Sequence, residues 1–429
     1  MIRFHELLKL CAAISIATIS SGLAHTVRVS TAPQYNISTV GPMGSGDRPT
    51  VVNSANQMVG HDANGQPFYV DSGTLYHPVT PLNATCWTLT GLNDGGRVTG
   101  YIKTGAGCTA PVEAVTGVIS GPDLAIQPLL NTGGNEYTGC AALSVNDSGE
   151  IAGLCDQGTT SRVVFWNPEG NTYGPAMALA WPSHVVAPPA MGSRPPVMTR
   201  DIDQFGDIIG QARCADKHSA STTIIWPANQ VGSMLAGRSC DSPAANTVRV
   251  FADGITSNVT GAPGDESGPV YLAGWCRVSG SGSSQKNKPC LWKLRYGSGK
   301  LVLASPTNLD SAASRFARAV DVNANGWIVG DRGNRADTAT LWAPHGSGHT
   351  EFSLTNLAAS AAWVVPGPCH DAMGPAAINL AGDIVGEAVD GGQATGFLMS
   401  PKVSNAFDIE VCGRRLHAER GVSGSGCQL

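Results

Sequence analysis

Several short stretches of the chain combine charged and aromatic hydroxyl side chains whose chemistry suits an anionic ligand. They are Glu136-Tyr137, Arg200-Asp201, Arg315, Arg318 and His370-Asp371. Brought together, such groups could hold a sugar acid or perform acid–base chemistry, with His370 or Tyr137 as the base and Arg318 neutralising a carboxylate. The alternative is that they are solvated loop residues, with pairs such as Arg200 and Asp201 balancing each other's charge.

Two histidine motifs resemble a catalytic dyad and a metal pair. His61-Asp62 follows the first copy of a repeat described below, but the equivalent positions of the other copies hold unrelated residue types, which indicates ordinary strand surface. His345 and His349 have the i,i+4 spacing of a metal pair on a helix, but two glycines between them favour the tip of a hairpin. We therefore predict no metal ion and no cofactor.

A proline-rich segment, residues 167–200, interrupts the rhythm of the chain. Its proline pairs at 188–189 and 195–196 prevent a continuous strand. We predict a loop over one face that carries part of a ligand site, with Trp181 as a stacking surface and Arg200 and Asp371 as polar contacts. An insertion without function is the alternative. Other tryptophans outside the repeat register, which are further candidates for exposed stacking surfaces, are Trp87, Trp275, Trp327 and Trp363.

The elements that would position these residues follow from a nine-residue pattern that recurs along the chain. Its consensus is an apolar residue, Asn or Asp, two variable residues, Gly, a variable residue, Ile or Val, a variable residue and Gly. The clearest copies are 52–60, 92–100, 145–153, 202–210, 322–330 and 378–386, and an interrupted seventh copy spans 254–258 and 270–274. In most copies a second apolar signature follows, which contains Trp166, Trp226, Trp292 or Trp342. We expect these four tryptophans in the core between repeats.

The pattern is typical of a tight β-hairpin. The Asn or Asp side chain caps the turn, and the glycine three residues later takes a conformation with positive φ. We expect such φ values at Gly149, Gly206, Gly326 and Gly382, and at Asn56, which replaces the glycine in the first copy. The final glycine of each copy indicates a close approach of two backbones.

Seven copies with room for about four strands each predict an all-β fold, a seven-bladed β-propeller of four-stranded blades. A β-solenoid would require shorter repeats without four-strand units. Ring closure requires a strand from one terminus, and we expect residues 35–40 to complete the blade that holds residues 397–399. In a propeller the loops that enter the inner strands surround one mouth of the channel, and the charged stretches named first lie there.

The repeated Asn-x-x-Gly-x-Ile/Val-x-Gly motif with its Leu-Trp pair resembles the HAF family of bacterial extracellular repeats. The resemblance covers residues 50 to about 401. Copy 2 departs from the family pattern because it lacks the tryptophan, and copy 5 because it lacks the compact turn. The resemblance implies an exported propeller of undetermined activity and supplies no catalytic residues.

The N-terminus and the cysteines predict export. Residues 1–24 have the charge, apolar run and small residues of a signal peptide, so we expect residues 25–401 to form the propeller and 402–429 a disulfide-closed tail. Eleven cysteines remain after cleavage, and their spacing predicts the pairs Cys140–Cys155, Cys276–Cys290 and Cys412–Cys427, with Cys86–Cys108 and Cys214–Cys240 paired by proximity. Cys369 is left over. The localisation expected is extracellular or periplasmic.

Composition narrows the class of partner. The net charge is −5 and no dense basic patch occurs, which argues against nucleic acid. No segment after the signal suits a membrane span, and we expect a monomer. Two functions remain open: a secreted binding module that presents loops to a carbohydrate or protein ligand, and an extracellular polysaccharide lyase or hydrolase acting at the channel mouth. Binding is favoured because no group of residues meets the geometry of an enzyme, and whether the chain is an enzyme stays open.

Overall fold

The chain forms seven β-sheets that succeed one another as the blades of a propeller. The computed structural model describes residues 32–42, 44–78, 86–103, 112–131, 137–181, 185–186, 199–204, 206–214, 221–226, 235–236, 250–255, 270–279, 286–297, 300–303, 307–309, 317–332, 339–358, 362–366, 374–402, 407–411 and 414–418. The all-β, seven-bladed architecture expected from the repeat is confirmed.

Three blades are built from the first half of the chain, each an antiparallel sheet whose strands follow one another from the inner to the outer edge. After the N-terminal strand β1 (Tyr35–Val40), blade 1 contains β2 (Arg48–Val52), β3 (Met58–His61), β4 (Pro67–Asp71) and β5 (Thr74–Tyr76). Blade 2 contains β6 (Cys86–Leu92), β7 (Arg97–Lys103), β8 (Val112–Ser120) and β9 (Asp123–Pro128). Blade 3 contains β10 (Gly139–Val145), β11 (Ile151–Gln157), β12 (Thr160–Trp166) and β15 (Met177–Ala178), and the hairpin β13 (Pro168–Glu169) and β14 (Thr172–Tyr173) precedes its outer strand.

Four further blades complete the ring, and three of them carry an additional short strand. Blade 4 contains β17 (Thr199–Ile202), β18 (Ile208–Cys214), β19 (Ser221–Trp226) and β20 (Leu235–Ala236), with β16 (Val185–Val186) on β18. Blade 5 contains β21 (Val250–Ile255), β22 (Val270–Ser279), β23 (Lys286–Gly297) and β24 (Lys300–Leu303), with β25 (Thr307–Asn308) on β23. Blade 6 contains β26 (Arg318–Val322), β27 (Ile328–Asp331), β28 (Ala339–His345) and β29 (Gly348–Ser353), followed by the helix α1 (Leu354–Leu357). Blade 7 contains β31 (Gly374–Ile378), β32 (Ile384–Asp390) and β33 (Gln393–Pro401), with β30 (Trp363–Val364) on β32, and β34 (Phe407–Val411) pairs with β35 (Arg414–Ala418) in the tail.

The turn between the first two strands of each blade has the predicted geometry. In blade 3 the Gly149 amide donates to the Asn146 carbonyl over 2.9 Å, and the Glu150 amide donates to Asn146 Oδ1 over 2.9 Å. All the glycines expected to have positive φ have it, and so does Asn56 at 59°. The turn therefore depends on an asparagine oxygen inside the loop and on a residue that tolerates the left-handed region.

The final glycine of the repeat faces the backbone of the inner strand. A Cβ at Gly153 would lie 2.2 Å from the Ala141 carbonyl oxygen, and the same distance of 2.2 Å separates a Cβ at Gly330 from the Arg318 oxygen. Each inner strand is bulged next to this point; in blade 3 the register shifts between Ala142 and Ser144. The predicted close approach of two backbones is confirmed, and a side chain has no room there.

The repeat asparagines also join the blades to one another. Each donates from Nδ2 to the backbone carbonyl of the residue at the same position in the next blade. The bonds run from Asn323 to Asn379 (2.9 Å), Asn379 to Asn53 (2.9 Å), Asn53 to Asn93 (2.9 Å), Asn93 to Asn146 (2.8 Å) and Asn146 to Asp203 (2.9 Å). Because its amide uses both the oxygen and the nitrogen, asparagine cannot be replaced by aspartate without loss of a donor.

The core lies between adjacent blades. Trp166, Trp226, Trp292 and Trp342 are at most 1% exposed, which confirms that the repeated tryptophans pack between blades. Trp166, for example, lies in a buried cluster with Ala114 of blade 2 and Ile151 of blade 3. Burial of such large rings from both sides is the main cohesive contact between sheets that cannot bury their faces alone.

The ring is closed by a strand from the N-terminus. Strand β1 pairs antiparallel with β33, with Ile37 opposite Met399 and Thr39 opposite Phe397. Tyr35 is fully buried, and its hydroxyl donates to the Gly382 carbonyl over 3.2 Å. The expectation that residues 35–40 complete the blade of residues 397–399 is confirmed.

One predicted disulfide is seen directly. Cys140 and Cys155 are opposite each other on β10 and β11 and are bonded, with their Cα atoms 4.1 Å apart. Cys86 and Cys290 each take part in a disulfide bond as well. The other predicted partners that lie outside the described residues are Cys108, Cys240, Cys412 and Cys427, and Cys369 lies there too. The register of β22 and β23 places Cys290 opposite Gly274 and Cys276 opposite Lys288.

Candidate functional site

The propeller channel has two ends that differ in chemistry. We call the end where the inner strands begin the strand-entry mouth, and the end formed by the Asn-x-x-Gly turns the turn mouth. Arg48 and Arg318 are the first residues of their inner strands β2 and β26, whereas Asn53 and Asn323 lie in the turns that follow those strands. The charged residues selected from the sequence were expected at the strand-entry mouth.

The structure places those residues in different environments. Arg318 lies at the strand-entry mouth and is partly buried. Tyr137 is only 7% exposed and belongs to the core cluster that contains Cys140, so it does not lie on the open surface of an entry loop. Arg200 is the bulged residue of β17, between the paired residues Thr199 and Asp201. His370 and Asp371 lie outside the described residues, and the catalytic and binding roles assigned to all of these residues stay predictions.

The tryptophans selected as exposed stacking surfaces are more buried than expected. Trp87 is 4% exposed and Trp363 is 7% exposed, so the expectation was wrong for these two. Trp181 is partly buried, contacts Trp226 edge to face at a centroid distance of 5.3 Å and donates from Nε1 to the Ser161 carbonyl. Its indole extends the core between blades 3 and 4, and its ligand role stays a prediction.

The turn mouth opens into an acidic cavity of about 220 Å³. The charged residues that line this cavity are Asp94, Asp147, Asp201 and Asp321. Each has a bond to a neighbouring blade: Asp94 accepts from the Ser54 amide over 2.8 Å, and Asp147 accepts from the Asp94 amide over 2.9 Å. The Ser144 hydroxyl donates to Asp201. These carboxylates hold the blades together around the channel.

Asp321 is the most perturbed of these acids. Its Oδ1 accepts from the Val322 amide and its Oδ2 from the Ile378 amide of blade 7, each over 2.8 Å. Burial raises the pKa of Asp321 to about 7 although both backbone hydrogen bonds act to lower it. Near neutral pH this carboxyl, which bridges two blades, therefore changes between its protonated and its ionised form.

At the strand-entry mouth, arginine, histidine and acidic residues occupy three consecutive blades. The same register position is occupied by Arg318 in blade 6, Gly374 in blade 7 and Arg48 in blade 1, and these residues pair with Asp331, Glu387 and His61 of the adjacent strands. Blades 2 and 3 carry Thr88 opposite Tyr101 and Ala141 opposite Leu154 at this level. Among the described residues, blades 6, 7 and 1 thus carry charged side chains at this level and blades 2 and 3 do not, and Gly374 places no side chain between the two arginines.

Arg48 is the least satisfied charge at this mouth. Its side chain is partly buried and its Nε is buried without a hydrogen-bond partner. No hydrogen bond or ion pair joins its guanidinium to another residue of the described chain. Burial lowers the pKa of Arg48 and the charge of Arg318 lowers it further, whereas Glu387 opposes both effects. Arg318 and Asp331, in contrast, already interact with other groups.

His61 and Glu387 complete the surroundings of Arg48. His61 is opposite Arg48 on β3, and burial together with the charge of Arg48 lowers its pKa, so the imidazole is neutral at pH 7. Burial raises the pKa of Glu387 while Arg48 acts to lower it. Asp62 is occupied elsewhere, because its Oδ1 accepts from the Asn64 and Gln66 amides, each over 2.8 Å.

Arg48, His61 and Glu387 thus place a cation, a neutral hydrogen-bonding ring and a carboxylate side by side. Arg48 was missed in the sequence because it precedes the repeat motif, and His61 was assigned to strand surface because its equivalents vary. At these equivalent positions the acidic and imidazole side chains, which are Asp331, Glu387 and His61, occupy the adjacent blades 6, 7 and 1. No cluster of three or more His, Cys, Asp or Glu side chains able to bind a metal occurs in the part of the chain described. Within the same part, no helix has the length and apolar character needed to cross a membrane.

Comparison with protein-family models and with curated proteins gave no match. Among solved structures the chain is similar to the polysaccharide lyase Uly1, with 9% identity, a TM-score of 0.47 and coverage of 89% of this chain and 94% of that one. It is also similar to the β-propeller domain of the Trilobed protease from Pyrococcus furiosus, with 9% identity, a TM-score of 0.45 and coverage of 90% and 96%. Similarities of this size carry no information on ligand or activity. Membership of the HAF family stays a prediction.

Proposed function

We propose that the chain is a ligand-binding propeller that holds an anionic group of a carbohydrate or protein ligand at the strand-entry mouth. The observation that carries the proposal is the partly buried Arg48 guanidinium, whose Nε is buried without a hydrogen-bond partner and which forms no hydrogen bond or ion pair with another described residue. A partly buried cation whose Nε has neither water nor a hydrogen-bond acceptor loses hydration without a compensating bond, which is costly. A carboxylate or sulfate of a ligand would supply charge-assisted hydrogen bonds to it.

The fold supports binding at this position. The blades are rigidly joined by the asparagine bonds at the other end of the channel, so the inner strands present Arg48 and Arg318 on a fixed frame. Gly374 between them adds no side chain. A rigid frame reduces the entropy lost when a ligand binds.

The experiment compares Arg48→Gln with Arg97→Gln, a variant that loses the same charge at the turn side of blade 2, where the Arg97 guanidinium lies 5.4 Å from the Tyr173 ring centroid. Isothermal titration calorimetry would use trimers of galacturonate, glucuronate and mannuronate and a hexaglutamate peptide. We expect at least one of these anions to bind and Arg48→Gln to weaken it roughly tenfold to hundredfold. Arg97→Gln should bind as the unaltered protein does. Equal effects of the two variants, or no binding of any anion, would refute the proposal.

The alternative function is a polysaccharide lyase or hydrolase at the same mouth. The neutral imidazole of His61 beside Arg48 favours it, because a neutral histidine can accept the proton next to a carboxylate whose charge an arginine offsets. In such an elimination His61 takes the proton and the C–H electrons form a double bond. The glycosidic C–O bond breaks with its electrons on oxygen, and this oxygen takes a proton from water. Incubation of the bound trimer followed by detection of an unsaturated product, or of new reducing ends, separates catalysis from binding alone.

We also propose that the chain is exported. The Cys140–Cys155 bond and the further disulfides of Cys86 and Cys290 support this, since such bonds persist in oxidising compartments. Alkaline phosphatase fused to the C-terminus becomes active only outside the bacterial cytoplasm. We expect an active fusion, and an inactive fusion of normal abundance would contradict export.

A further inference from the structure

The strand-entry mouth offers three different hydrogen-bonding groups in one place. His61 lies directly opposite Arg48 on neighbouring antiparallel strands, where the side chains of opposed residues lie on the same face about 5 Å apart. Glu387, from blade 7, is close enough to Arg48 that each charge shifts the pKa of the other. None of the three side chains forms a hydrogen bond to another described residue. A ligand can therefore engage all of them.

We propose that this mouth selects a sugar acid, in which Arg48 binds the carboxylate while Glu387 and His61 bind neighbouring hydroxyl groups. The inference rests on the proposed function, since it assigns the class of ligand that the Arg48 site takes. Arg48 supplies N–H donors that suit a carboxylate, and Glu387 can only accept, so it requires an O–H donor. Neutral His61 accepts at one ring nitrogen and donates at the other, which a hydroxyl can satisfy in either direction.

An acidic peptide fits the same site poorly. Its side chains carry carboxylates without hydroxyl groups, so a second carboxylate would face Glu387 and be repelled. A neutral sugar would bind Glu387 and His61 but would leave the Arg48 guanidinium unpaired. The sugar acid is the ligand class that satisfies the cation, the carboxylate and the imidazole together.

Glu387→Gln gives the sharpest test because the two ligand classes predict opposite changes in binding affinity. Calorimetry would use the three uronate trimers, maltotriose and hexaglutamate. With a sugar acid, Glu387→Gln removes a charged acceptor and should weaken the best uronate trimer about fivefold or more. With an acidic peptide the same change removes a repulsion, so hexaglutamate binding should become tighter. We expect the unaltered protein to prefer a uronate trimer over both hexaglutamate and maltotriose by about tenfold or more.

His61 is tested with a conservative pair of variants. His61→Leu removes the donor and the acceptor and should weaken uronate binding, whereas His61→Gln keeps both and should restore most of it. The inference is overturned if hexaglutamate or maltotriose binds as tightly as every uronate trimer, or if Glu387→Gln strengthens uronate binding. Failure of the proposed function looks different, because then Arg48→Gln changes no affinity for any of these probes. Thermal melting of each variant shows whether the fold is retained.

Discussion

Two glycines of one hairpin in blade 3 should respond differently to the same substitution. Gly149 has a φ of +85°, and a Cβ there would meet nothing closer than 3.6 Å. Alanine at 149 would therefore suffer only the unfavourable left-handed conformation, about 1–2 kcal/mol. A Cβ at Gly153 would lie 2.2 Å from the Ala141 carbonyl oxygen and 2.8 Å from the Trp166 ring.

The substitution Gly153→Ala should be the more damaging of the two. Ordinary contact requires about 3.4 Å or more, so the Ala141 carbonyl would have to move by more than 1 Å in a paired strand. Overpacking of this kind typically costs about 1–3 kcal/mol, and we expect about 3 kcal/mol or more because the obstacle is backbone. Reversible urea unfolding of Gly149→Ala and Gly153→Ala, compared at equal m-value, measures the difference between their free energies of unfolding. If Gly153→Ala unfolds at the same or a higher urea concentration than Gly149→Ala, the close-approach argument is wrong.

Three further predictions concern the frame of the propeller. Asn93→Asp keeps the oxygen that accepts from the Arg97 amide but loses the 2.8 Å bond to the Asn146 carbonyl, so it should destabilise by about 1–3 kcal/mol in urea unfolding; an unchanged midpoint would contradict the inter-blade role. Deletion of residues 35–40 removes the strand on β33 and should lower the melting temperature by many degrees, whereas a deletion variant that melts like the full chain would refute closure by β1. The pKa of Asp321 in the folded state, about 7, lies above its ordinary value of 3.8, so the folded state binds the proton more tightly than the unfolded state. The free energy of unfolding should therefore fall as the pH rises from about 4 to about 7, on the order of a few kcal/mol at most. Asp321→Asn should lose that part of the pH dependence, and an identical pH profile of its urea midpoint would show that another group is responsible.

Much of the fold was predictable because it repeats. The Asn-x-x-Gly turn is a local feature, so Gly149 and Asn56 could be assigned their conformations from the sequence alone. The hydrogen-bond partner of each asparagine nitrogen could not be predicted from the sequence, because that partner lies in the next blade. Asn53, for example, donates to the carbonyl of Asn93. The turn consensus contains no information on contacts between units that are far apart in the chain.

The candidate site was harder to predict than the fold. Tyr137 was expected on an entry loop, but a residue at the border of a loop and a strand can turn either way, and packing against blade 2 places it in the core. Arg48 attracts no attention in the sequence because single arginines are common. It becomes conspicuous only when register brings it beside His61 and places Glu387 in the neighbouring blade. Comparison of the His61 position between copies did not reveal the cluster, because Arg48 and Arg318 lie on the inner strands before the repeat motif.

The central claim is that the Arg48 guanidinium is the contact for the anionic group of a ligand. The most direct measurement is the ¹⁵N–¹H resonance of Arg48 Nε in protein labelled at arginine, assigned through the missing signal of Arg48→Gln. Titration with the three uronate trimers and hexaglutamate should shift this resonance saturably, because a charged acceptor then binds the same guanidinium. The Arg97 Nε resonance should stay in place. An Arg48 signal that does not move while other signals report binding, or that never moves with any anion, would contradict the account.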